Sequence, residues 1–165
     1  MKFILRISFI TVIAFLFYGC AADRGAMVVE QKSLAKKSTT TFFVVSAKNQ
    51  QPVFSNVKDA DLKSALEESL KKSGLYSDFT KATYLVDLDL YKLEIPLLGL
   101  APTVTAKVNY KITSNDASKK INNIEIASDG KASFFDGLTA DLRVKVAVEN
   151  AIKENFEKFL NEVRK

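Results

Sequence analysis

Few side chains in this sequence can do chemistry. Among 165 residues there is no His, no Trp and one Cys, Cys20. Without imidazole there is no Ser-His-Asp triad, no Cys-His pair and no histidine-ligated metal. One thiol allows neither an intramolecular disulfide nor a thiolate zinc cluster. Carboxylates and amines remain. Asp87 and Asp89 alternate with Val86, Leu88 and Leu90, which puts both carboxylates on one face of a strand, roughly 6 to 7 Å apart by strand rise. That spacing suits general acid–base work or a hard cation. Lys107, Asn109 and Lys111 alternate in the same way and are expected to share that face, so cross-strand ion pairing is the favoured reading. The lysine pairs at 36–37, 71–72 and 119–120 are dispersed and read as solvated faces, with anionic lipid or polysaccharide contact as the alternative. Nothing pairs these groups into a catalytic set. The chain is expected to be no enzyme and to hold no metal or cofactor.

The surroundings of Cys20 say more. Lys2 and Arg6 precede an apolar run over residues 7–18 that only Ser8 and Thr11 interrupt. At 12 residues this run is too short to span a bilayer, which takes about 20. It fits a secretory signal peptide. Without Lys2 and Arg6 the chain has 22 basic residues against 19 acidic, a charge of +3. That is too mild and too scattered for a nucleic-acid surface. The run ends in Phe17-Tyr18-Gly19-Cys20-Ala21. This resembles the lipobox of bacterial lipoproteins, in which a small residue precedes an invariant Cys; Phe17 and Tyr18 are bulkier than the family's usual residues. The resemblance implies cleavage between Gly19 and Cys20 and a diacylglycerol thioether on Cys20, with further acylation of its new amino group. Ala21 is not the Asp that commonly retains such proteins in the inner membrane. The implied address is therefore the outer membrane, periplasmic face, with the covalent lipid as the only added group. Acyl chains contribute about 0.8 kcal/mol per buried CH2, so two or more give stable anchoring.

Past the cysteine, residues 20–39 lack sustained periodicity and read as a tether, with an edge strand at residues 27–29 as the alternative. Residues 40–165 read as one domain. Strand one covers residues 40–47. A helix begins at Asp59 or Asp61 as cap and runs to about Ser73, with Leu62, Ala65, Leu66 and Leu70 on one face and Gly74 closing it. Residues 84–95 form a strand whose alternation slips, which calls for a bulge near Leu90. Residues 103–112 alternate cleanly, with Val104, Ala106, Val108, Tyr110 and Ile112 on one face. Residues 121–127 form a further strand whose apolar face ends near Ser128, with a bulge or turn at Asp129-Gly130. A long helix over about residues 135–163 carries a stripe of Leu138, Leu142, Val146, Ile152, Phe156, Leu160 and Val163, into which Lys145 and Glu149 intrude as an i,i+4 pair.

The order strand, helix, three strands, helix predicts an α+β two-layer sandwich, a mainly antiparallel sheet covered on one face by two helices. In element order, residues 40–163 resemble YajG-type and transport-auxiliary outer-membrane lipoproteins, and the periplasmic domain of outer-membrane activators of peptidoglycan synthases. The resemblance is one of fold. Phe134, Phe135, Phe156 and Phe159 are expected in the core. The loop at residues 95–102 is unusual, because prolines bracket Leu97, Leu98 and Leu100 at a hairpin tip. Either the tip touches a partner or a lipid surface, or it folds back over the core. The functional expectation is a lipid-anchored accessory protein that binds an envelope protein partner through the wet sheet face or this tip. The alternative is a carrier of a lipid or other apolar ligand, in a cavity lined by residues such as Phe134 and Phe156.

Overall fold

The computed structural model describes residues 22–30, 39–51, 56–96 and 101–164. Strand β1 (Phe42–Asn49) is followed by helix α1 (Asp59–Lys72), by strands β2 (Tyr84–Glu94), β3 (Thr103–Ser114) and β4 (Ile121–Lys131), and by helix α2 (Ala140–Glu162). The sheet order is β1-β2-β3-β4. Strands β2, β3 and β4 form an antiparallel meander, while β1 joins β2 in parallel. A parallel pair needs a crossover, and α1 supplies it. Both helices lie on one face, so the α+β two-layer sandwich stands as expected.

Period two drives the strands. Val104, Ala106, Val108, Tyr110 and Ile112 are all buried, and Val86, Leu88 and Leu90 face the same way from β2. The slip in β2 is a bulge at Tyr91: the register steps from Leu90 opposite Val108 to Lys92 opposite Lys107. The extra residue returns Leu93 to the core and leaves the Tyr91 hydroxyl outside, donating to Glu125 at 2.7 Å.

Leu62, Ala65, Leu66 and Leu70 of α1 are buried as the spacing predicts. Its N-cap is Lys58, and neither Asp59 nor Asp61 caps the helix. The Asp59 carboxylate instead accepts the Asn49 N–H at 2.8 Å, tying the end of β1 to the start of α1. The C-terminus closes as expected: Gly74 has φ 70°, and the Leu75 N–H donates to the Leu70 carbonyl.

Two expectations near β4 and α2 need correction. Strand β4 does not end near Ser128 but continues to Lys131. Ser128 is buried because its hydroxyl donates to the Ala151 carbonyl of α2 at 2.8 Å. Gly130 is where the helix crosses the strand: a Cβ there would lie 2.0 Å from the Ala147 carbonyl oxygen. The buried stripe of α2 also differs in part. Ile152, Phe156 and Leu160 hold, but Ala147, Val148, Ala151, Asn155 and Phe159 complete it, and Leu138 lies outside on the surface.

Residues 22–30 also depart from a tether. A short 3-10 turn over Gly25–Met27 leads into Met27, Val28 and Val29, all buried. This turn packs against both α1 and α2. The Val29 N–H donates to Ser69 Oγ at 3.0 Å, and Lys72 pairs with Glu30. The apolar patch that periodicity could not classify is therefore part of the core.

Candidate functional site: one apolar end and an open sheet face

The topology brings distant residues to one end of the molecule. Since β1 and β2 run together and β3 and β4 alternate, the chain positions Asn49, Glu94, Thr103 and Lys131 share that end. So do the first turns of α1 and α2, because each follows a strand that finishes there. The described chain also begins there. The Ala22 N–H donates to the Asn56 carbonyl at 3.3 Å, and the Asp23 N–H donates to the Glu149 carboxylate. Burial raises the Glu149 carboxyl above its ordinary value, against the opposing effects of the Asp23 N–H and the Lys145 ammonium. Lys145 pairs with Glu149 at 3.8 Å, as their spacing suggested.

The connection from β4 to α2 lies at this end. Its 3-10 turn (Phe134–Asp136) is held by a capping box, in which the Ser133 N–H donates to Asp136 Oδ2 at 2.6 Å. Arg143 Nη1 donates to the Gly137 carbonyl at 2.9 Å and its guanidinium stands 5.4 Å from the Phe134 ring centre. These contacts hold three apolar side chains outward: Phe134 is 57% exposed, Phe135 93% and Leu138 99%. Phe156 and Phe159 are core as expected, while Phe134 and Phe135 are not. Exposure of this kind marks a contact surface. Sequence reasoning missed it because Leu138 fits the helical stripe and a Phe pair ordinarily reads as core.

Several expected site residues lie outside the described residues: Gly19, Cys20, Leu97, Leu98 and Leu100. The described flank of the 95–102 loop returns to this same end, with the Ala132 N–H donating to the Pro102 carbonyl at 3.1 Å.

Opposite the helices, the other sheet face is polar. Asp87 stands opposite Lys111, and Asp89 opposite Asn109. Ser46 Oγ donates to Asp87 at 2.6 Å, and Gln50 Nε2 to Asp89 at 2.6 Å. Glu94 pairs with Lys92 at 2.8 Å and Lys107 at 3.3 Å, and these two cations hold its carboxyl below its usual range. Oδ1 of Asp89 is buried and has no hydrogen-bond partner among the described residues. Among the described residues, no group of three or more His, Cys, Asp and Glu is placed to hold a metal ion.

A concavity lies at the far end, near the β3–β4 turn. It is an open groove of about 660 Å³ whose lining includes Phe42, Tyr84, Ile112, Ile124 and Val163, with Asp116 and Lys120 also on its wall. Phe134 and Phe156, expected to line one cavity, are not brought together in the core: Phe156 is fully buried and Phe134 is on the surface. In the core Tyr110 stacks on Phe159 with ring centres 4.1 Å apart, and its hydroxyl donates to Asn155 at 2.7 Å.

No family model matches the chain, and no curated protein does. Solved structures do match in fold. A Xanthomonas campestris protein of family DUF330 has a TM-score of 0.63 at 13% identity, covering 87% of this chain and 92% of its own. A candidate lipoprotein from Caulobacter crescentus has a TM-score of 0.50 at 12% identity, covering 74% of this chain and 86% of its own. A candidate neuraminyllactose-binding hemagglutinin homolog from Helicobacter pylori has a TM-score of 0.50 at 13% identity, covering 83% and 92%. The class defined by this architecture is thus the α+β two-layer sandwich that these structures share. At these identities the likeness is one of fold, and function must be argued from the site.

Proposed function

We propose that the protein is a lipid-anchored lipoprotein of the outer membrane, facing the periplasm, that acts by binding an envelope protein partner and performs no catalysis. The observation that carries this reading is that the residues just after the Gly19-Cys20 motif are tied to the domain. Ala22, the first described residue and two positions after Cys20, is already bonded to Asn56, and cleavage after Gly19 removes none of the described packing. The fold shared with a candidate lipoprotein supports it as well. The partner surface we propose is the open sheet face. It carries both charge signs, which suits a protein better than a polyanion. Leu97, Leu98 and Leu100 remain candidates for a second contact with partner or lipid.

The test is Cys20→Ser in intact cells. The variant should leave the membrane fraction and take up no labelled palmitate, while a photo-crosslinker at Asn109 loses its captured envelope protein. If Cys20→Ser fractionates and labels like wild type, the anchoring reading is wrong. If the anchor holds but the Asn109 crosslink never captures a defined protein, the partner face is wrong.

A further inference from the structure

We propose that Phe134, Phe135 and Leu138 form a membrane-docking tip that seats the domain directly on the lipid bilayer holding its anchor. This rests on the reading of Cys20 as the lipidated residue. The first argument is chain length. If residues 20–39 were all tether, the domain would range several nanometres from the membrane. Instead Ala22 is hydrogen-bonded to Asn56, Asp23 to Glu149, and Met27, Val28 and Val29 are core. Only Ala21 lies between Cys20 and Ala22, so the two are at most about 7 Å apart at full extension. The acyl chains insert where Cys20 is, so the end of the domain that carries Ala22 is held within about that distance of the lipid headgroups.

The second argument is what that end presents. Phe135 and Leu138 are almost wholly exposed and Phe134 more than half. They project from a turn fixed by the Ser133–Asp136 capping box and by Arg143 bonding to the Gly137 carbonyl. The topology puts them at the end where the chain from Cys20 enters. An aromatic and aliphatic tip facing a bilayer at that range buries its apolar area at the headgroup–acyl boundary. Asp136 and Asp141 flank the tip, so the attraction is apolar rather than cationic. The geometry also sets the orientation. The β3–β4 turn lies at the far end of β4, an 11-residue strand about 36 Å long, and therefore points away from the membrane with the open groove beside it.

The absence of Trp makes the test direct. Phe135→Trp and, separately, Ala117→Trp in the β3–β4 turn each give a single-fluorophore protein; Leu138→Trp is a second reporter for the tip. The full lipidated protein is reconstituted in phosphatidylethanolamine–phosphatidylglycerol vesicles carrying bromine on the acyl chains. Phe135→Trp and Leu138→Trp should shift to the blue and lose most of their emission, while Ala117→Trp keeps its own and stays open to aqueous iodide. Equal iodide access at Phe135→Trp and Ala117→Trp, with lipid on Cys20 shown by mass spectrometry, overturns the docking tip and leaves the anchor standing. Shielding that rises with protein concentration and ignores the bromines assigns the tip to a second copy and likewise overturns it. A Cys20 peptide without lipid defeats the anchoring reading, and the docking proposal falls with it.

Discussion

Glu149 is where a single ionisable side chain links the N-terminal segment to the body. Its carboxylate accepts the Asp23 N–H beside Lys145, yet burial dominates and holds its carboxyl above the ordinary value of 4.5. A carboxyl raised in this way binds its proton more tightly in the folded chain than in the unfolded one. Its stabilising contribution is complete below pH about 4.5 and declines as pH rises through the raised value. Glu149→Gln keeps an oxygen for the Asp23 N–H and cannot titrate, so this decline should vanish. Thermal midpoints measured from pH about 4 to about 7 decide it: superimposable profiles for variant and wild type would mean that Glu149 is not the responsible group. Gly130 is the residue-scale counterpart in packing. A methyl group there meets backbone of Ala147 and Ala151, which no rotamer change relieves. Gly130→Ala should lower the unfolding free energy by about 3 kcal/mol in urea titration, the upper range for overpacking. A change near zero would mean that α2 slides freely over β4.

The 22–30 segment is the element whose role changed most between sequence and structure. It has no periodic pattern, so neither helix nor strand logic selects it. Its burial arises because α1 and α2 touch each other only slightly, and Met27, Val28 and Val29 pack against the core beside them. Met27→Ala should therefore cost about 2–5 kcal/mol, the range for truncating a buried Met. Chemical denaturation checks this, since a true tether would give no change. The other elements were legible for a definite reason. Alternation over β3 and four-residue spacing over α1 each report one buried face, and even the β2 bulge showed as a slip in parity. The true stripe of α2 was less legible, because small and polar residues, Ala147, Ala151 and Asn155, form its contact with β4.

At the scale of the molecule, an apolar tip and the entry point of the chain share one end, with the polar sheet face along the side and the groove at the opposite end. Cys20 precedes Ala22, the first described residue, and Cys20→Ser should unfold at the same midpoint as the unlipidated wild-type chain while losing the membrane. Anchoring and folding would then be separable properties. A midpoint several degrees lower would mean that the first residues contribute to the fold beyond Ala22.

The sequence by itself determined the element order, the two-layer class, the absence of imidazole chemistry and the apolar run that precedes Gly19-Cys20. These are local properties, written in residue type and in spacings of two to four. Only the tertiary structure decided that Met27 is core while Phe135 and Leu138 are surface, that Gly130 is a helix crossing, and that the chain's entry and the apolar tip fall together. Hydrophobicity is the same for a buried and an exposed Phe. What separates them is whether the sheet and helices leave space beside that side chain, and that depends on residues more than a hundred positions apart.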